Sequence, residues 1–271
     1  MPPVDVLARV TDNTRLSPDY NVLVLEAPAI AAAALPGQFV MIRTGPGTDP
    51  LLRRPFSIFE LIGAAGGPPG AFSVLCKRIG PGTARLYDVE AGERLSVLGP
   101  LGRPFVPVAP PAEAWMVAGG VGLAPFAALT DALRAAGTPC RLFYGGRTKA
   151  DLFYLDWFAA RGVTLDLATE DGSLGCAGRV TAPLEAALRA RPAGRPVTVY
   201  ACGPEPMLAS VAALAGASGC PSQISTERVM GCGLGGCYSC VVRARGEDGR
   251  VRFVRSCVDG PVFDGSALVW E

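Results

Sequence analysis

Four cysteines near the C-terminal end carry the strongest chemical signal in the sequence. Cys232, Cys237 and Cys240 are separated by four and two residues, and Cys257 follows after sixteen more. This C-x4-C-x2-C…C spacing is that of plant-type [2Fe-2S] sites, in which four thiolates hold two irons. The residues between the first three are mainly glycine. Gly231, Gly233, Gly235 and Gly236 let a loop take unusual backbone angles and point N–H groups at sulfur. Structural zinc is the alternative, but four-cysteine zinc sites pair C-x2-C units across a longer stretch, and here one pair has four intervening residues. The other cysteines have no such pattern: Cys76 and Cys140 sit in apolar runs as small hydrophobes, and Cys176 and Cys220 fall in loops.

A second group of residues suggests a nucleotide. Gly119-Gly120-Val121-Gly122-Leu123-Ala124-Pro125 lies directly after the apolar run WMVA and before a helical pattern. Small residues there let backbone approach a diphosphate, and a helix N-terminus supplies free N–H groups. Tight turns need glycine in any case, so the turn alone decides nothing. Three more segments fall at the ends of apolar runs: Gly145-Gly146-Arg147, Thr169 to Ser173 with Glu170 and Asp171, and Ala201-Cys202-Gly203-Pro204-Glu205-Pro206-Met207. Ligands of open parallel sheets sit beyond the strands' carboxyl ends, where all four segments would meet.

Nearer the start, Arg53-Arg54-Pro55-Phe56-Ser57-Ile58 combines a cation for phosphate, a ring for a flat heterocycle and a hydroxyl for a ring nitrogen. Lys77-Arg78-Ile79-Gly80-Pro81-Gly82-Thr83 is a second cationic, small-residue turn. Taken alone, both also read as solvated basic turns.

The elements that would position these groups fall into three modules. Up to residue 108, short Val-, Leu- and Ile-rich runs (VDVLARV, YNVLVLEA, QFVMIRT, FSIFEL, AFSVLCKRI, ERLSVLGPL) recur between Gly and Pro clusters, the texture of an antiparallel barrel. The stretch 63–70 is expected to be a loop. Over residues 109–222 apolar strands alternate with Ala/Leu-rich helical patterns at 125–137, 149–162, 183–194 and 204–219, which predicts an α/β unit with a parallel sheet. Residues 223–271 hold the cysteine loop and two strands joined at Glu247-Asp248-Gly249.

The totals exclude several functions. The 271 residues are enough to bury a core without disulfides, and nine cysteines, an odd number, argue against a disulfide framework. Charged residues make up 18% and net charge is +1, so no basic stripe for nucleic acid is expected. The start lacks a secretory pattern, which makes a cytoplasmic protein the expectation. The apolar window from Trp115 to Leu133 is broken by glycines and a proline and reads as buried core, not as a membrane span. The absence of histidine removes a Ser-His-Asp hydrolase, a His-ligated zinc site, a Rieske cluster and a histidine proton shuttle.

Taken in order, Arg54-Pro55-Phe56-Ser57, the turn from Gly120 to Pro125, Cys202-Gly203-Pro204 and the C-terminal cysteines resemble the ferredoxin reductase superfamily. More narrowly, the order of flavin barrel, pyridine-nucleotide domain and C-terminal [2Fe-2S] module is similar to the electron transfer subunits of type B dihydroorotate dehydrogenase. The likeness covers essentially the whole chain, and Ser256 to Phe263 is its most specific part after the cysteines.

The resemblance implies FAD on the segment Arg54-Pro55-Phe56-Ser57, with Arg54 on the diphosphate, Phe56 along the flavin or its ribityl chain and Ser57 at flavin N5. Gly82 and Thr83 would hold the diphosphate from the other turn. It implies NAD on Gly120, Gly122 and Pro125, with Cys202, Gly203 and Pro204 beside the nicotinamide and Glu170 or Asp171 near the adenosine half. Cys232, Cys237, Cys240 and Cys257 would ligate the cluster. No catalytic residue for a second substrate is implied here. Dihydroorotate oxidation, in pyrimidine biosynthesis, would take place on a separate FMN-containing catalytic subunit, in a heterotetramer containing each chain twice.

Phe56 departs from the Tyr that the wider superfamily often has, which removes a hydroxyl, and Arg147 leaves NADP open as the nucleotide. The alternatives are the corresponding subunit of a sulfide dehydrogenase, hydrogenase or electron-bifurcating ferredoxin reductase complex, and a zinc-stabilised nucleotide-sensing protein.

Overall fold

The computed structural model describes residues 2–270 apart from 46, 48, 64–66 and 193, so the expected loop at 63–70 lies partly outside the described residues. The runs of the first module form seven strands: β1 (Val4–Ser17), β2 (Tyr20–Glu26), β3 (Phe39–Ile42), β4 (Arg54–Ser57), β5 (Leu61–Gly63), β6 (Pro69–Lys77) and β7 (Arg94–Leu101). They pair antiparallel in the order β4-β3-β7-β1-β2-β6-β5. The sheet curls into a half-barrel, with β4 coming against β6. Its inside is filled by Val10, Leu23, Leu25, Val40, Ile42, Phe72, Val74 and Val97, and is closed by Ile30 of α1 (Pro28–Ala31) and Leu86 of α2 (Pro81–Asp88). Each such side chain removed from water contributes about 1.5–3 kcal/mol, and together they form the barrel's own hydrophobic core.

The second module carries β8 (Glu113–Gly119), β9 (Cys140–Gly146), β10 (Thr164–Thr169), β11 (Cys176–Ala177), β12 (Val197–Cys202) and β13 (Ser222–Ser225). These lie parallel in the order β11-β10-β9-β8-β12-β13. Their crossovers are α3 (Phe126–Ala135), α4 (Leu155–Ala159), α5 (Thr181–Ala190) and α6 (Glu205–Ala217). The chain leaves β8 toward β9 on one side and later returns at β12 on the other. The strand order therefore reverses between β8 and β12, and a crevice opens there at the strands' carboxyl ends. The window from Trp115 to Leu133 is β8 and α3, buried in this core. Among the described residues no helix is long and apolar enough to cross a membrane.

The helical pattern over 149–162 folds differently, because only residues 155–159 become α-helix. Tyr154 takes a left-handed backbone (φ 61°), so the helix cannot run back through it. Its ring stacks edge-on against Phe59 of the barrel at 4.7 Å, and Phe153 meets Tyr20 at 4.7 Å. The apolar side chains that looked like a helix face clamp the two modules together. The amide of Ala128 in α3 adds a hydrogen bond to the Phe59 carbonyl at 2.8 Å.

The last segment makes the expected hairpin, β14 (Val241–Arg245) with β15 (Val251–Arg255), followed by α7 (Ser256–Asp259) and β16 (Val262–Asp264). β16 pairs antiparallel with β13, so the C-terminal segment supplies the edge of the nucleotide sheet.

Candidate functional site

The crevice at the switch point is a cleft of about 400 Å³ lined by Gly119, Gly120, Gly146, Arg147, Glu170 and Pro204, among others. Gly120 has φ 54°, a left-handed angle that glycine adopts without strain, and its open side faces the Tyr20 hydroxyl at 4.0 Å. Gly122 serves a different purpose: a Cβ there would lie 2.2 Å from the Cys202 carbonyl oxygen. The turn after β8 and the turn after β12 thus touch backbone to backbone and form one wall. Gly203 completes it, because a Cβ there would meet the Gly119 amide nitrogen at 3.0 Å.

Pro125 is buried and caps α3 behind that wall. Cys202 is buried with its thiol hydrogen-bonded to Ser225, and burial pushes the thiol up to about 12, so it is a neutral wall group. Of the two acids after β10, Glu170 lines the cleft. Asp171 instead accepts the amide and hydroxyl of Ser173 at 3.0 and 2.6 Å, which holds its carboxyl below the usual range.

Three wall groups, Tyr20, Asp151 and Arg179, were not among the residues singled out in the sequence, and Lys77 was singled out only as part of a cationic turn on the barrel. Tyr20 reaches the cleft from β2 and Lys77 from β6, while Asp151 and Arg179 come from loops of the α/β unit. Lys77 lies over the Tyr20 ring at 5.1 Å, and the Tyr20 hydroxyl meets Asp151 at 3.4 Å. The cleft therefore spans both modules, with Lys77, Arg147 and Arg179 set against Asp151, Glu170 and Glu227.

On the barrel, Arg54, Pro55, Phe56 and Ser57 form β4, half-buried, in register with Ile42, Met41, Val40 and Phe39 of β3. The Arg54 guanidinium donates to the Leu52 carbonyl at 2.7 Å. Across from it is Gly82, in the first turn of α2. A Cβ on Gly82 would meet Thr44 Oγ1 at 3.2 Å, Pro50 Cγ at 3.5 Å and Arg54 Nε at 3.6 Å. Thr44 is only 2% exposed, and its hydroxyl has no hydrogen-bond partner among the described residues. A cation, a helix N-terminus, a bare glycine and an orphaned hydroxyl make a cradle that fits an anionic diphosphate. The Thr83 hydroxyl is already engaged, accepting the amides of Ile79 and Gly80 at 2.9 and 3.1 Å and capping α2. That cap, with Leu86 drawn into the core, explains why a segment that reads as a turn becomes a helix.

The cysteine loop brings its four thiols together as two pairs. Cys237 is exposed beside Cys232, and its sulfur meets the Ser239 hydroxyl at 3.1 Å. Those hydrogen bonds bring the Cys237 thiol down to about 6. Cys240 and Cys257 are buried against each other, and the Cys257 amide donates to Cys240 Sγ at 3.4 Å. Burial and this neighbour push the Cys257 thiol up to about 12. Among the described residues no three of these groups converge on one metal ion. Two pairs suit a two-iron cluster, which takes two thiolates on each iron. The amide of Leu234 also points at Cys232 Sγ at 3.4 Å, an N–H aimed at sulfur as the glycine-rich loop implied.

The loop rests on the barrel. Cys240 and Cys257 pack with Met230 against Phe39, Met41 and Leu101, and a Cβ on Gly233 would meet Met41 Cγ at 2.6 Å. The Cys240–Cys257 pair therefore lies against β3, the strand next to the one carrying Arg54-Pro55-Phe56-Ser57. Of the remaining cysteines, Cys76 and Cys140 are buried with thiols pushed to about 12 and 11, Cys220 is buried, and Cys176 is exposed.

A half-barrel with a phosphate cradle, an α/β unit with a cleft at its switch point and a thiol-rich loop between them define an NAD-dependent flavin and iron–sulfur oxidoreductase subunit with the ferredoxin reductase fold. Residues 116–213 match the model of the oxidoreductase NAD-binding domain, and residues 227–269 match that of the iron–sulfur cluster binding domain of dihydroorotate dehydrogenase B. The chain is 34% identical over 264 residues to the dihydroorotate dehydrogenase B (NAD(+)) electron transfer subunit of Desulforamulus reducens, covering 97% of this chain and 98% of that one. It is 39% identical over 250 residues to the subunit so named from Geobacillus thermodenitrificans, covering 91% of each. A solved structure of an NADH-dependent reduced ferredoxin-NADP oxidoreductase, studied for flavin-based electron bifurcation, superimposes with TM-score 0.82 at 29% identity, over 98% of this chain and 90% of that one.

The chain belongs to the family of electron transfer subunits of dihydroorotate dehydrogenase B. Its cofactors are FAD, a [2Fe-2S] cluster and NAD, and it works with a catalytic partner subunit in pyrimidine biosynthesis. The zinc reading of the cysteines gives way to the iron–sulfur match over 227–269.

Proposed function

We propose that this chain relays electrons between NAD(H) and an FMN-containing dihydroorotate dehydrogenase catalytic subunit, in a cytoplasmic heterotetramer containing each chain twice. When bound, FAD converts between the two electrons of a hydride and single electrons, and the cluster carries these singly. Arg54 and the first turn of α2, with Gly82 and the amide of Thr83, hold the FAD diphosphate, and the orphaned Thr44 hydroxyl is satisfied there. Pro55, Phe56 and Ser57 place the isoalloxazine along β4, with the Ser57 hydroxyl at N5. Gly120 and Pro204 face NAD directly, while Gly122, Pro125, Cys202 and Gly203 shape the wall behind it. Glu170 rather than Asp171 turns toward the adenosine half, because the Asp171 carboxylate is occupied by Ser173. Cys232 with Cys237 and Cys240 with Cys257 hold one iron each.

The observation that carries this reading is β3. Its Phe39 and Met41 touch the cysteine loop while the same strand is hydrogen-bonded to β4. Adjacent strands lie about 4.8 Å apart, so the flavin segment runs directly beside the strand on which the cysteine loop rests. Nine cysteines without a disulfide fit a reducing compartment. A second reading, a subunit of a bifurcating complex, is favoured by the TM-score of 0.82 to such an oxidoreductase. The test is co-purification with the FMN catalytic subunit encoded in the same genome. A complex of mass matching two copies of each chain, reducing NAD+ when given dihydroorotate, supports the proposal. Failure to associate, together with ferredoxin-linked reduction of NADP+, would favour the second reading.

A further inference from the structure

The Arg255 side chain reaches across the cysteine loop. Arg255 ends β15, two residues before Cys257, and its guanidinium crosses to donate to the Gly235 carbonyl at 3.0 Å, between Cys232 and Cys237 in the chain. A Cβ on Gly235 would be 3.2 Å from that guanidinium, so the two are in direct contact. The Tyr238 ring covers it at 5.1 Å, and Tyr238 holds a left-handed backbone (φ 56°), an unusual angle for a bulky residue. Among the described residues no carboxylate forms an ion pair with this guanidinium. Asp259 accepts the Arg255 backbone amide at 3.0 Å.

We propose that Arg255 is a positioning residue that raises the reduction potential of the cluster held by Cys232, Cys237, Cys240 and Cys257. The inference rests on the reading of those four as its ligands. NADH oxidised to NAD+ releases a proton and two electrons, and through the flavin these reach the cluster one at a time. Each electron taken up adds one negative charge to a site already surrounded by four thiolates. A guanidinium carries a positive charge and interacts more favourably with the reduced form. A neutral hydrogen-bond donor would hold the Gly235 carbonyl equally well, so only the charge produces this difference. Net charge and hydrogen bonding near the sulfurs are the levers that tune such clusters.

The test is an anaerobic redox titration of purified, cluster-loaded Arg255→Gln, Arg255→Lys and Arg255→His, followed by the signal of the reduced cluster in electron paramagnetic resonance. For Arg255→Gln the ratio of reduced to oxidised cluster at a fixed NADH:NAD+ ratio should fall roughly tenfold, the effect of one charge in half-solvated surroundings. Arg255→Lys should restore most of it. Arg255→His should approach the Lys value at low pH and the Gln value at high pH, which compares charge states within one folded protein. Equal potentials in all variants with full iron content would overturn the proposal. So would loss of the cluster from all three, which would make Arg255 a strap only. A wild-type protein without a [2Fe-2S] signal would instead overturn the ligand assignment on which the proposal stands.

Discussion

Gly122→Ala is the substitution for which the structure gives the clearest magnitude. The added Cβ would sit 2.2 Å from the Cys202 carbonyl oxygen, 2.5 Å from its carbon and 2.7 Å from Gly203 Cα, all of them backbone atoms. Ordinary carbon contacts lie at roughly 3.5 Å, so one turn must retreat by about 1 Å. Overpacking of this kind costs about 1–3 kcal/mol. At about 2–4 °C per kcal/mol for a chain of this size, the expected fall in Tm is about 2–12 °C. The same displacement separates the two turns that form the nucleotide wall, and a misplacement of about 1 Å can weaken function a hundredfold.

NADH affinity should therefore fall at least tenfold, measured by fluorescence titration beside the melting curve. Gly137→Ala is the control. Gly137, unlike Gly122, is left-handed (φ 72°) with nothing within 4 Å of a Cβ, so alanine there adds only backbone strain of about 1–2 kcal/mol. Its NADH affinity should be unchanged. Equal NADH affinity for Gly122→Ala and Gly137→Ala would refute the claim that the contact between the two turns builds the cleft.

Three further outcomes are expected. Thr44→Val should raise the Tm of FAD-free protein, because an orphaned buried hydroxyl costs about 1–3 kcal/mol, while weakening FAD binding; a lower Tm without FAD would contradict the cradle. Burial raises the Glu60 carboxyl above its usual value despite the Ser73 hydroxyl at 2.9 Å, so its contribution to stability is present below pH 4.5 and lost as pH rises through the raised value. Glu60→Gln should accordingly raise Tm near pH 8 and leave it unchanged near pH 4, and a uniform shift across a pH series of melting curves would contradict this. In cluster-stripped protein, iodoacetamide followed by mass spectrometry should label Cys176 and Cys237 first and spare Cys76 and Cys202, whose burial pushes both thiols to about 12.

What could be read from the sequence was what is local in the chain. The spacing of Cys232, Cys237 and Cys240, the glycine turn after β8 and the hairpin turn at Asp248-Gly249 each lie within a few residues, and the structure forms both turns where expected. What escaped reading depends on distant partners. Tyr20 and Lys77 join the cleft only because the barrel docks on the α/β unit, and no spacing rule links residue 20 to residue 120. The hydrogen bond that occupies Asp171 comes from Ser173, and the short α4 depends on rings from the other module. β16 crosses into the nucleotide sheet from the far end of the chain, where a three-residue strand has no periodicity to reveal it. For Gly122, which the resemblance gives as an NAD-binding residue, no sequence signal shows that its missing side chain also makes room for the Cys202 carbonyl.

The central claim is that one chain holds a continuous route from NADH through FAD to a [2Fe-2S] cluster. It is tested most directly by an anaerobic NADH titration of the purified protein, followed by visible absorbance and by electron paramagnetic resonance of frozen samples. The account expects a brown protein whose flavin bands bleach as a reduced [2Fe-2S] signal grows, with both changes complete at the same NADH addition. Flavin bleaching with no cluster signal in protein shown to hold iron and sulfide, or a colourless protein holding zinc, would contradict it.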